Sequence, residues 1–123
     1  MRDRIGSVEQ ELREKFGREC LAILLTYSQE KMPWGKQHAE ITVRRFVEKL
    51  RKRYQRRGMK FCAIHTTKTT YRGQVQHEVI ISPGMEPEEL ESAWGMGWSM
   101  ASTVVLDTKN TLRLAMELAA DRR

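Results

Sequence analysis

Apolar residues recur at helical spacing between residues 38 and 57 and form an unbroken run between residues 20 and 27. In the first segment they occupy positions i, i+3, i+4, i+7 and i+11, which predicts an amphipathic helix with one buried stripe. The stripe residues are Val43, Phe46, Val47, Leu50 and Tyr54. The unbroken run of the second segment is typical of a strand that is buried on both faces and therefore lies at the centre of a sheet.

Capping, turn and periodicity signals predict the remaining elements. Ser7 and Gln10 have the spacing of a capping box, which favours a first helix over about residues 7–17. The segment 68–73 is short and polar, so it can only join neighbouring antiparallel strands. The other predicted elements are strands over 60–67, 74–82 and 99–106, a short helix that Pro87 opens, and a final helix that begins at Asp107 or Thr108.

The order of these elements predicts an α+β fold. The middle six match the ferredoxin-like, split βαββαβ arrangement, an antiparallel sheet of four or five strands with helices on one face. An N-terminal helix and a C-terminal helix are added to this core. We therefore expect a single domain over residues 1–123, with its core at about 20–121, and an open second face of the sheet.

The strand "VQHEVII" places its polar residues on two different faces. Val75, Val79 and Ile81 have the same parity as His77, and that parity is expected to face the helices. We therefore interpret His77 as a hydrogen-bonded core histidine. Gln76 and Glu78 have the other parity and are expected on the open face.

Charge is concentrated in one helix. The chain carries 22 basic and 16 acidic residues, a net charge of +6, which favours an anionic partner with nucleic acid first. Residues 44–57 contain eight basic residues against the single Glu48. They are Arg44, Arg45, Lys49, Arg51, Lys52, Arg53, Arg56 and Arg57. The predicted binding surface for nucleic acid or another partner consists of these residues.

Two cysteines and the absence of a long apolar segment indicate the compartment. Cys20 and Cys62 lie in apolar runs without metal-binding spacing, and we interpret both as reduced core thiols. No apolar stretch approaches the roughly 18 residues of a membrane span. We expect a cytoplasmic protein with no membrane partner, and its oligomeric state stays open.

The chain resembles rolling-circle replication initiators of the HUH endonuclease family, of the phage and plasmid type. The similarity lies in Leu25-Thr26-Tyr27 followed by Ser28-Gln29-Glu30, in the helix "RRFVEKLRKRY", in "YRGQVQHEVII" and in "EELESAWGMGWS". The resemblance covers about residues 20–121. It implies a mobile element and a bacterial host.

The resemblance implies a metal site and a nucleophile that this sequence does not keep intact. The family holds a divalent metal with two strand histidines, and the corresponding positions here are Gln76 and Glu78. This pair, joined by His65 of the neighbouring strand, is the candidate ligand set for Mg²⁺ or Mn²⁺, and no other cofactor is expected. The family's nucleophilic tyrosine is missing, because the best-matching position in "TLRLAMELAADRR" lies near Met116 or Glu117.

Three functions remain open at this point. The first is a catalytically degenerate initiator-like protein that binds single-stranded DNA or another nucleic acid. The second is an inhibitor of a host defence nuclease, such as a CRISPR effector with its guide RNA and DNA, for which Trp94, Met96 and Trp98 would form a contact patch. The third is a metal-dependent endonuclease that uses Glu78.

Overall fold

The computed structural model of the chain describes the backbone of residues 2–121 and the side chains of residues 4–119. Met1, Arg122 and Arg123 of the predicted domain therefore lie outside the described residues. The helices are α1 (Arg2–Phe16), α2 (Lys36–Arg56), α3 (Pro87–Trp94) and α4 (Thr108–Asp121). The strands are β1 (Glu19–Thr26), β2 (Ala63–Thr69), β3 (Val75–Ile81) and β4 (Ser99–Val105), and one 3₁₀ turn, Gln29–Lys31, follows β1.

The sheet has the strand order β2-β3-β1-β4, and every neighbouring pair is antiparallel. This order confirms the predicted ferredoxin-like α+β fold with its added N-terminal and C-terminal helices. The continuous apolar run of β1 is also explained, because β1 lies between β3 and β4 and is covered on both faces. Within residues 2–121 no helix is long and apolar enough to cross a membrane.

Helices α2 and α3 pack on one face of the sheet. Leu21, Ile23 and Leu25 of β1 and Val79 and Ile81 of β3 form this core together with the predicted apolar stripe of α2. Tyr54 ends the stripe fully buried, and its hydroxyl donates to the Ser82 carbonyl at 2.7 Å. The predicted core role of Tyr54 is confirmed.

The sequence suggested that the second face of the sheet is open, but helices cover part of this face. Helices α1 and α4 pack against each other and cover the half of this face that carries Cys20, Ile64, Ile80 and Val104. Val8 and Leu12 of α1 and Leu114 and Leu118 of α4 supply the apolar cover. The expectation was wrong because the amphipathic terminal helices need an apolar surface to bury, and the alternate residues of the strands provide it.

The first helix begins earlier than its capping signal suggests. Ser7 lies inside α1, which extends back to Arg2. The side chain of Ile5 packs against the α1–α4 core, so the additional turn has an apolar anchor of its own. The two cysteines are both free, Cys20 buried and Cys62 half-buried, and burial raises the pKa of the Cys20 thiol to about 11.

Candidate nucleic-acid interface

Four of the eight basic residues in segment 44–57 pair with a carboxylate. Arg53 and Arg57 both contact the carboxylate of Glu89 on α3. Arg51 lies over the ring of Phe61 at 5.0 Å and beside Glu48, and Arg44 pairs with Glu40 at 3.6 Å. Arg53 and Arg57 join α2 to α3, whereas the ion pairs of Arg44 and Arg51 lie within α2, and all four charges are partly neutralised by their carboxylate partners.

The other four basic residues form a continuous row on the helix. Arg45, Lys49, Lys52 and Arg56 follow the spacing i, i+4, i+7 and i+11, and all are exposed. We call this row the cationic stripe. At 1.5 Å per residue its Cα atoms span about 16 Å along the helix axis. Among the side chains of residues 4–119, no carboxylate lies within ion-pair distance of the stripe.

A pocket of about 290 Å³ lies beside the N-terminal half of the stripe. Its walls carry Arg45 and Lys49 from α2 and Lys31 from the 3₁₀ turn, and its floor is made by Tyr27, Phe46 and Trp94. We call it the α2–α3 pocket. Lys31 was not singled out from the sequence, because only the fold brings the 3₁₀ turn to α2.

Large aromatic side chains are exposed outside the helix. Trp34 is 91% exposed, Tyr71 93% and Trp98 65%, values that are unusual for residues of this size. The sequence signalled only Trp98, although Trp34 stands between Pro33 and Gly35 in a segment that breaks the chain. The flat ring of Trp34 packs on His38 at 4.5 Å and leaves its other side to solvent.

The predicted contact patch of Trp94, Met96 and Trp98 is divided by the fold. Trp94 is buried, donates from Nε1 to the Thr26 carbonyl at 2.8 Å and packs edge-on against Tyr27 and Phe46. Trp94 therefore belongs to the core, whereas Met96 and Trp98 remain exposed.

His77 is a fully buried member of a hydrogen-bonded chain, as predicted. Its Nε2 lies 2.6 Å from the Tyr27 hydroxyl and its Nδ1 lies 2.8 Å from Thr67 Oγ1. Thr67 donates its only hydroxyl hydrogen to Glu40 at 3.3 Å, which assigns the ring proton to Nδ1 and makes Tyr27 the donor to Nε2. Burial, with a smaller contribution from the charge of His65, lowers the pKa of His77 to about 4. Burial likewise raises the pKa of Tyr27 to about 12.

The candidate metal ligands do not converge. Glu78 lies opposite Thr66 in the β2–β3 register, whereas His65 lies opposite Val79 and so occupies the other face of the sheet. The proposed metal ligands His65, Gln76 and Glu78 therefore do not come together, because the β2–β3 register puts the side chain of His65 on the opposite face of the sheet from that of Glu78. Within the described residues no group of three His, Cys, Asp or Glu side chains has the arrangement to hold a metal ion. These residues do not fit the family's metal centre.

Glu78 lines a cleft of about 240 Å³ with Arg113 and Glu117 of α4. Of Met116 and Glu117, the two residues matched to the family's nucleophile, Glu117 therefore faces β3, which carries the positions matched to the family's metal ligands. Glu117 stands there within 3.4 Å of Arg113, and no tyrosine occurs after Tyr71 anywhere in the sequence. The side chains of Glu117 and Arg113 are not nucleophiles for phosphodiester cleavage of the family's type.

Comparison with known proteins gives a structural match. No protein-family model and no curated protein matches the chain. The crystal structure of the hypothetical protein ORF119 from Sulfolobus islandicus rod-shaped virus 1 superimposes with a TM-score of 0.59. The match covers 97% of this chain and 94% of that chain at 8% sequence identity, so it shows a shared fold.

Proposed function

We propose that the protein is a non-catalytic, initiator-like protein that binds single-stranded nucleic acid. The cationic stripe carries this proposal. It places four exposed positive charges in one row, and such a row can follow a phosphate backbone without reading bases.

Exposed aromatic residues favour a single strand over a duplex. Unpaired bases stack on aromatic rings, and this stacking tolerates any sequence. Trp34 and Trp98 present their rings to solvent and are therefore available to unpaired bases. In a duplex the bases are already stacked, so these rings would contribute little.

Residues on the α4 side of the sheet support binding without cleavage. Cleavage of the family's type needs a metal ligand pair and a tyrosine, and the Glu78 cleft offers Glu117 and Arg113 instead. A protein that keeps the fold and a basic helix but lacks these groups retains binding as its activity. Mobile-element ancestry remains part of this proposal.

A paired charge reversal tests the role of the cationic stripe. Lys52→Glu with Arg56→Glu changes two exposed residues four positions apart, away from the core. Binding of a labelled single strand at about 0.1 M salt should weaken by at least about tenfold, because each lost phosphate contact forfeits counterion release. For the wild type, about four phosphate contacts predict a slope of log K against log salt of about −3.

A matched control separates the stripe from the charge of the whole protein. Lys60→Glu with Lys109→Glu makes the same change of net charge outside α2, at two exposed residues that pair with no carboxylate among the described side chains. The control should bind nearly as the wild type does. Equal loss in both variants would mean that net charge alone attracts the strand, and no binding by the wild type would refute the proposal.

A nuclease inhibitor remains the second candidate function. Trp98 and Met100 are exposed at the start of the edge strand β4, and such anchors suit a protein partner. If the wild type binds no nucleic acid, we expect Trp98→Ala to abolish inhibition of the target nuclease while Lys52→Glu leaves it intact.

A further inference from the structure

The α2–α3 pocket combines positive walls with a closed apolar floor. Lys31, Arg45 and Lys49 are exposed at its rim, while Tyr27, Phe46 and Trp94 below them belong to the core. No carboxylate is among the described residues that line it. Its volume of about 290 Å³ is just below the range for ligand pockets, roughly 300–1,000 Å³.

Two of the three cations are held in place before any ligand arrives. Lys31 Nζ donates to the Gly95 carbonyl and Lys49 Nζ to the Ala93 carbonyl, both at 2.9 Å. Each ammonium group uses one donor on the end of α3 and keeps two for a ligand. Fixed donors reduce the entropy that binding costs.

We propose that this pocket binds the phosphate monoester of a nucleotide, at the end of a strand or free. The inference rests on the proposed function, whose strand it would anchor by one end. A phosphate monoester carries a charge of about −1.5 to −2 at neutral pH. The three cations of the pocket balance this charge better than they balance the single negative charge of a diester. The closed floor also favours a terminal group, because a strand cannot pass through it.

A stacking platform next to the pocket points to a nucleotide. His38 lines the pocket, and its ring packs against Trp34 at 4.5 Å. The free side of Trp34 is thus available to the base of a nucleotide whose phosphate occupies the pocket.

The test compares short strands that differ only at their ends. Fluorescence anisotropy would be measured with oligonucleotides carrying a 5′-phosphate, a 3′-phosphate or no terminal phosphate, and unlabelled dAMP would be the competitor. We expect one phosphorylated form to bind about tenfold more tightly than the unphosphorylated strand, because charge-assisted hydrogen bonds are added. Competition by dAMP identifies a site that also takes free nucleotides.

Variants locate the effect in the pocket. Lys31→Gln lies in the pocket but not on α2, and should bring the affinities of phosphorylated and unphosphorylated strands together. Lys52→Gln lies on the stripe outside the pocket, and should weaken all strands alike and keep their ratio. Lys31→Arg keeps the charge and should keep the preference, which guards against a loss caused by misfolding.

The outcomes separate this inference from the proposed function. Strands that bind with equal affinity whatever their ends, with no competition by dAMP, overturn the inference and leave the proposed function standing. Binding of dAMP without binding of strands overturns the proposed function and keeps the pocket. Failure to bind either ligand overturns both.

Discussion

Burial of His77 makes its protonation part of the folding equilibrium. The ring is fully buried and its pKa falls from the ordinary 6.5 to about 4. The unfolded chain therefore takes up the proton first as the pH falls, and stability increases with pH between these two values. Only the neutral ring can accept the Tyr27 hydroxyl hydrogen at Nε2.

We expect the free energy of unfolding to fall by about 3 kcal/mol between pH 6.5 and pH 4 because of this histidine. Urea unfolding across this range measures the loss. In His77→Gln the dependence should shrink, whereas His38→Gln, at a half-buried position of α2, should keep it. A wild-type midpoint that does not change from pH 7 to pH 4 would contradict the assignment.

Gly97 is required by a close approach of two backbones. A Cβ atom at this position would lie 2.7 Å from the Ser28 amide nitrogen and still closer to the Thr26 carbonyl. The same segment pairs with the end of β1, since Ser28 N donates to the Met96 carbonyl at 2.8 Å. Space, and not a left-handed backbone angle, therefore excludes a side chain here.

Gly97→Ala should lower the free energy of unfolding by about 1–3 kcal/mol, the range for overpacking against atoms that cannot move easily. Gly35→Ala is the matched control, because nothing lies within 4 Å of its added Cβ. Thermal unfolding of the two variants compares them directly. A similar loss in both would show that the close contact at Gly97 is not responsible, because the entropy effect of Gly→Ala on the unfolded chain is stabilising.

At the scale of elements, α2 has two kinds of basic residue. Arg53 and Arg57 join it to α3 through Glu89, whose pKa is lowered by the hydrogen bond from Arg57. Lys52 and Arg56, on neighbouring positions of the same turns, face solvent. The difference is set by which side of the helix meets α3.

Two pairs of substitutions should therefore give opposite results. Arg53→Gln with Arg57→Gln should lower the melting temperature and change nucleic-acid affinity less, because the ion pairs with Glu89 of α3 are lost. Lys52→Gln with Arg56→Gln should lower the affinity and leave the melting temperature nearly unchanged. Calorimetry measures the melting temperature of both double variants, and fluorescence anisotropy measures their affinity for nucleic acid. Equal effects of the two variants on affinity would contradict the distinction between structural and binding residues of α2.

At the scale of the whole molecule, the fold keeps the tyrosines away from the Glu78 cleft. Tyr27 and Tyr54 are buried on the opposite face of the sheet, and Tyr71 is exposed in the β2–β3 turn. None of the three lines the cleft with Glu78. The polar side chains that line the cleft are two carboxylates, one guanidinium and the hydroxyl of Ser102.

We predict that the protein neither nicks single-stranded DNA nor forms a covalent phosphotyrosine adduct. Labelled single strands incubated with Mn²⁺ and separated under denaturing conditions measure both. A band of protein-linked DNA would contradict the prediction, and Tyr71→Phe would then show whether the exposed tyrosine is responsible.

Features that depend on local spacing could be predicted from the sequence alone. The order of elements, the central place of β1, the buried stripe of α2 and the inward position of His77 all follow from periods of 2 and 3.6 residues. The cationic stripe has the same origin, since Arg45, Lys49, Lys52 and Arg56 share one side of any helix built from residues 36–56. The missing tyrosine is likewise evident from composition.

The contacts that these elements make with one another became evident only from the fold. The cover of the second sheet face, the pairing of Arg53 and Arg57 with Glu89, and the α2–α3 pocket join residues that are far apart along the chain. His65 and Glu78 were separated by the β2–β3 register, which local spacing does not specify. Such contacts depend on how whole elements pack against each other, and periodicity within one segment carries no information about its partner.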